Sequence, residues 1–259
     1  MRVRIRFSKL GKVRFTSHRD TARIWERALR RAELPVAYSE GFSPRPKLSF
    51  GLALSTGHES LGEYLDVELR PEGPLPVEEL TARLDPTLPA GFAVQGAMEV
   101  EPGTPSLQEA VTSCTWRLEV IAPDPGEVGG AVEQLLDRTE LVITRERKGR
   151  EVVEDLRPAL LDLSPIGPTT PTGIELHAEL ATQPRALRPA DLLDALCAER
   201  VGWRGGRVCR IHQLMPAGDR FVEPLPSPPD VAGWSLARTA KGLSHVRPEP
   251  VPALVGGQR

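Results

Sequence analysis

At the start of the chain apolar and polar residues alternate strictly. Val3, Ile5 and Phe7 are interleaved with Arg2, Arg4 and Arg6, a period of two that predicts a half-buried strand with a basic outer face. Gly11 offers a turn before a short extension over 13–15. The period then changes. Ala22, Trp25, Ala28, Leu29 and Ala32 fall on one stripe at helical spacing, while Arg19, Arg23, Arg27 and Arg30 fall largely on the opposite stripe. Ser17 with Asp20 three residues on supplies a capping-box variant at the start of this helix, and Pro35 ends it. A loop over 39–47 holds two prolines that fix φ and remove donors. Strands follow at 48–55 and 63–69, a helix at 76–84 and a strand at 93–100. The order is β-α-β-β-α-β, the ferredoxin-like unit.

The same order returns further on. A strand is predicted at 113–121 and a helix at 127–138, its Val128, Ala131, Val132, Leu135 and Leu136 facing inward. Short strands at 141–145 and 151–155 flank a turn at Lys148 and Gly149, with more strands at 159–163 and 173–180. A helix over 188–198, opened by Pro189, precedes a closing strand at 208–214. The expected fold class is therefore α+β, two tandem ferredoxin-like units at 1–103 and 104–215. From Pro216 onward 8 prolines and 5 glycines fall in 44 residues with little periodicity, which predicts a disordered tail over 216–259. Trp234 and Leu236 within it are a candidate docking motif.

Composition narrows the function classes. No apolar run reaches the ~18 residues of a membrane helix, and the basic start lacks the apolar core of a secretory signal. Cys114, Cys197 and Cys209 are odd in number and far apart, which argues against a disulfide framework and fits a reducing cytoplasm. The formal net charge of −2 hides an asymmetry: residues 1–50 carry +9 and residues 51–120 carry −9. A block of +9 predicts a surface that faces a polyanion. The competing expectation is that the two segments share a domain and neutralise each other.

The stretch over 15–69 resembles a radical-SAM-linked domain of unknown function, in its free-standing actinobacterial-type form. The resemblance rests on Ser17–His18–Arg19–Asp20, on ERALRRA at 26–32, GFSPRPK at 41–47 and GEYLD at 62–66. It implies a role in translation or RNA metabolism, beside a separate radical SAM protein or a ribosome-associated factor. The three cysteines are 83 and 12 residues apart and cannot form the CxxxCxxC loop of such an enzyme, so this chain is expected to carry no iron–sulfur cluster, no other metal and no cofactor.

The chemistry then has few candidates. Ser17, His18 and Asp20 sit too close in sequence for triad geometry, and Ser17 and Asp20 have a complete role as caps. His18 remains as a weak catalytic candidate or phosphate contact at the positive helix end, with His58 able to approach it if turn and helix share a face. His177 and His212 fall in strands and read as structural. The loop at 41–47 is the best site: Phe42 supplies a stacking face beside Arg45 and Lys47, the combination that holds single-stranded RNA. The expected interface is thus Arg19, Arg23, Arg27, Arg30, Phe42, Arg45 and Lys47. The leading expectation is a non-catalytic RNA-binding accessory protein. A scaffold for an acidic protein partner and a metal-independent ribonuclease are the alternatives.

Overall fold

The computed structural model describes residues 1–70, 76–147 and 149–225, with two short strands at 238–239 and 242–243. Lys148 of the predicted turn, and Trp234 and Leu236 of the candidate docking motif, lie outside the described residues. The chain is α+β, built on a large, mostly antiparallel sheet that has 11 strands among the described residues.

The first half comprises β1 (Arg2–Lys9), α1 (His18–Arg31), β2 (Leu48–Phe50), β3 (Glu59–Glu68), α2 (Val77–Leu84) and β4 (Phe92–Val100). Its strands lie in the order β2-β3-β1-β4 with every neighbour antiparallel. Between β1 and α1 the chain makes a 3-10 turn at Gly11–Phe15 instead of the predicted extension. The Ser17 hydroxyl accepts from the Asp20 amide at 3.1 Å and donates to Asp20 Oδ2 at 2.7 Å, so the predicted cap forms. Helix α1 buries Thr21, Trp25, Ala28 and Leu29 against Val3, Ile5 and Phe7, with the Trp25 and Phe7 ring centroids 4.6 Å apart. Where β4 begins, Gly91 adopts φ +99°, and a Cβ there would lie 2.6 Å from the Leu10 carbonyl oxygen. Only glycine lets the chain pass this close to the end of β1.

The second half follows a short helix α3 (Leu107–Ala110). It comprises β5 (Ser113–Ile121), α4 (Glu127–Leu136), β6 (Val142–Arg147), β7 (Arg150–Asp155), β8 (Leu160–Thr170), β9 (Gly173–Ala181), α5 (Pro189–Cys197) and β10 (Arg204–Ala217). Here the order is β8-β9-β5-β10, again antiparallel throughout, while β6 and β7 pair only with each other as a separate hairpin. Trp116, Leu118 and Val120 of β5 pack with Val128, Val132, Leu192 and Leu196 into a second core.

One sheet runs through both halves. Cys209 and Arg210 of β10 pair in parallel with Glu59 and Ser60 of β3, on the same edge of β3 that β2 occupies farther along. At this seam Arg210, 1% exposed, donates to both carboxylate oxygens of Glu63 at 2.6–3.0 Å and to the Leu52 carbonyl at 2.8 Å.

Two expectations need correction. Strand β1 is buried on both faces, so Arg4 and Arg6 do not form a basic outer surface. Arg4 stands directly across from Asp66 in the register and binds both its oxygens, at 2.7 and 2.9 Å. The segment from Pro216 does not begin as a disordered tail. Strand β10 runs on to Ala217 and turns into β11 (Arg220–Val222), after which Glu223 pairs with Arg6 and Leu225 joins the second core. Two further strands, β12 (Arg238–Thr239) and β13 (Gly242–Leu243), pair with each other, and β12 pairs with β11.

Candidate nucleic-acid interface

The helical stripe stays on the surface. Arg19, Arg23, Arg27 and Arg30 are all exposed. Arg23 lies 3.3 Å from Asp20 on its own helix, while Arg19, Arg27 and Arg30 make no ion pair or side-chain hydrogen bond among the described residues. The carboxylates of β3 are engaged elsewhere: Asp66 with Arg4, Glu63 with Arg210, Glu59 with Arg14 and Arg207, and Glu68 with Lys47. The two charged segments do neutralise each other in part, through β1 and the loops, and β10 supplies Arg207 and Arg210 to the remaining β3 carboxylates. Arg19, Arg27 and Arg30 are left over among the described residues.

The loop at 39–47 is pinned at its base and open at its tip. Ser39 and Arg45 exchange bonds, the Ser39 amide donating to the Arg45 carbonyl at 2.9 Å and the Arg45 amide to the Ser39 hydroxyl at 3.1 Å. Gly41 turns the tip with φ +118°, and Phe42 beside it is fully exposed. Arg45 is exposed as well. Lys47 lies 3.0 Å from Glu68 Oε2, so it contributes less free charge than its neighbour. A second exposed aromatic was not foreseen. Phe15, 62% exposed, lies under the Arg14 guanidinium at 4.6 Å. A strand at 13–15 would alternate faces, whereas the 3-10 turn presents Phe15 outward just before α1. The adjacent cations Lys12 and Arg14 were the available signal.

His18 is the first residue of α1, exposed, with its ring edge-on to Phe50 at 5.2 Å. It borders a small cavity of about 20 Å³ lined also by Lys9, Thr21, Phe50, Leu52 and Glu63, with room for about one water. The Lys9 ammonium donates to the Thr16 carbonyl at 2.9 Å. Burial holds its pKa below the ordinary lysine value; Glu63 opposes that shift and Arg210 adds to it. His58 packs instead edge-on to Trp116 at 6.2 Å. Burial, with Arg210 and Lys9 nearby, lowers its pKa. Ser17 and Asp20 are engaged with each other, so neither bonds His18.

The cysteines are free and set for packing. Burial pushes the Cys114 thiol up to about 11 and the Cys209 thiol up to about 12, and it raises Cys197 as well. Among the described residues no group of three or more His, Cys, Asp or Glu is placed to hold a metal ion, and no helix is long and apolar enough to cross a membrane.

Fold and surface together define an α+β protein that exposes arginines of α1 and an aromatic loop at 39–47. Residues 2–189 match the family described as uncharacterized protein conserved in bacteria (DUF2344), and the chain belongs to that family. No curated protein matches it in sequence. Among solved structures it is similar to a chain in an H/ACA RNP bound to a substrate RNA containing 2'-deoxyuridine, at 10% identity and a TM-score of 0.45, covering 82% of this chain and 47% of that one. It is similar also to a chain of a Cbf5-Nop10-Gar1 complex, at 11% identity and a TM-score of 0.45, covering 82% and 48%. The chain thus spans about half the length of these structural relatives.

Proposed function

We propose that this protein is a non-catalytic RNA-binding accessory protein that holds single-stranded RNA along the outer face of α1. The observation that carries this reading is the exposure of Arg19, Arg27 and Arg30 without an ion-pair partner among the described residues, while the β3 carboxylates are bound elsewhere. Phosphates are neutralised by the arginines, and Phe42 and Phe15 offer faces on which bases stack. Exposed aromatics favour RNA over an acidic protein as the ligand of this surface. The two β-α-β-β-α-β halves are read as tandem ferredoxin-like units, residues 1–103 and 104–215. A cytoplasmic role in translation or RNA metabolism, with a separate radical SAM protein or ribosome-associated factor as partner, rests on the motifs at 15–69.

The test is a fluorescence-anisotropy titration with a short single-stranded oligoribonucleotide over a range of salt. Replacing Arg27 and Arg30 by Gln keeps helix propensity nearly unchanged. Each phosphate contact contributes ~0.7 to the salt slope of a single strand, so the double variant is expected to lower it by ~1.4. Phe42→Ala is expected to weaken binding by ~1–3 kcal/mol with the slope unchanged. Unaltered affinity in both variants would remove the proposed surface.

A further inference from the structure

Lys9 stands where an apolar residue is due. Val3, Ile5 and Phe7 pack toward α1, and alternation puts position 9 on the same face, yet the chain places a lysine there and buries it to 3% exposure. The register of β1 with β3 shifts by one residue between Phe7 and Lys9, the kind of irregularity that re-aims a side chain. An ammonium has three protons to donate. Among the described residues one acceptor meets them, the Thr16 carbonyl at 2.9 Å, and Lys9 makes no ion pair. Glu63, which lines the same cavity, has both oxygens bound by Arg210.

The charged and titratable groups around Lys9 come from four places: Glu63 on β3, Arg210 on β10, His18 at the start of α1 and His58 in the turn before β3. Burial favours the neutral amine; Glu63 opposes that and Arg210 adds to it. A lysine desolvated beside another cation is the setting that activates an amine as a nucleophile. Holding the Thr16 carbonyl does not require it, since a neutral donor would do so without a buried charge. The cavity supplies the other half of the setting. It is small, about 20 Å³, with Lys9 facing the apolar Phe7, Phe50, Leu52 and Leu54, and with the exposed His18 at its rim.

We propose that Lys9 is a nucleophilic amine that forms an imine with a small aldehyde admitted to this cavity. The Nζ lone pair adds to the carbonyl carbon, a proton passes from nitrogen to the carbonyl oxygen, and the carbinolamine loses its hydroxyl as water to leave a C=N bond. His18, on the rim, is the group available to protonate the departing hydroxyl. The protonated imine keeps one N–H, which matches the single acceptor at Thr16. Size selects the electrophile: room for about one water admits an aldehyde of about one or two carbons and excludes an acyl thioester or a sugar phosphate. The site is separate from the exposed arginines of α1 and does not depend on RNA binding there.

The experiment treats the full wild-type chain at pH 7 with limiting acetaldehyde and sodium cyanoborohydride, which reduces an imine to a stable ethyl group, and reads the label residue by residue by peptide mass spectrometry. The exposed Lys12 and Lys47 are the internal standards. Lys9 is expected to be ethylated before either of them despite its burial. Benzaldehyde under the same conditions is expected to reverse the order, because its ring cannot enter the cavity. Lys9→Arg is expected to abolish the early acetaldehyde label, and the wild-type comparison decides the matter even if that variant does not fold. The Arg27→Gln, Arg30→Gln variant is expected to keep the wild-type labelling order, whatever its affinity for RNA. Labelling of Lys9 last with acetaldehyde would show it to be a structural donor to Thr16 and overturn the proposal. Labelling of Lys9 first with both aldehydes would show that the end of β1 opens and would remove the cavity as the site.

Discussion

Glu63→Gln at the seam tests what holds the two halves in one sheet. The Arg210 guanidinium is 1% exposed, and its charge is balanced by Glu63, to which it makes contacts of 3.0, 2.6 and 2.7 Å. Glutamine keeps the shape and one acceptor but removes the charge, leaving a buried cation with the Leu52 carbonyl and an amide oxygen. Removing one partner of a buried pair costs ~3–5 kcal/mol, and the retained acceptor places this change near ~3 kcal/mol. For a chain of this size that is a fall in Tm of roughly 6–12 °C. Urea unfolding followed by tryptophan fluorescence and by circular dichroism measures it, through the midpoint and the slope m. Because β3 and β10 belong to different halves, the variant is also expected to separate the two probes' transitions, which coincide in the wild type. The double change Glu63→Leu, Arg210→Met removes both charges and is expected to lie close to wild type or above it. A loss below ~1 kcal/mol in Glu63→Gln, the value of an exposed pair, would mean that water reaches the guanidinium and refute the reasoning.

Other outcomes follow from the same contacts. Trp25→Ala empties a fully buried site against Phe7 and is expected to cost ~3–5 kcal/mol in denaturant unfolding; a loss under ~1 kcal/mol would contradict the packing. His58 has a folded pKa below 6.5, so its unfolded form takes up a proton first as pH falls. Wild-type stability is therefore expected to decline from pH 6.5 down to the folded pKa, and His58→Gln to flatten that part of the profile; identical profiles would show that His58 does not contribute. With Cys114 and Cys209 thiols at about 11 and about 12, a disulfide reagent at pH 8 should modify the native protein far more slowly than the urea-unfolded chain, half-buried Cys197 reacting first. Rapid modification of Cys209 would show that its strand opens.

What the sequence determined by itself is local. The alternation of Val3, Ile5 and Phe7, the stripe through Trp25 and Leu29, and the Ser17–Asp20 cap are written in spacings of two to four residues. The strands at 113–121 and 173–181 and the helix at 127–136 were legible for the same reason. The exposed Arg19, Arg27 and Arg30 were legible too, since a face opposite an apolar stripe has nowhere to go but outward. Long-range pairing was not. Arg4 and Arg6 looked solvent-facing because alternation reports which residues share a face, not what covers the second face. Asp66 reaches Arg4 only through the register of β1 with β3, and Glu223 reaches Arg6 from 217 residues away. The composition of the segment after Pro216 suggested disorder, yet residues 216–225 are folded, held by the buried charge of Arg6 and the apolar side chain of Leu225. Only the tertiary structure decides which charges of this chain are matched inside and which remain for a partner, because burial and register, not residue type, set the cost of leaving a charge unpaired.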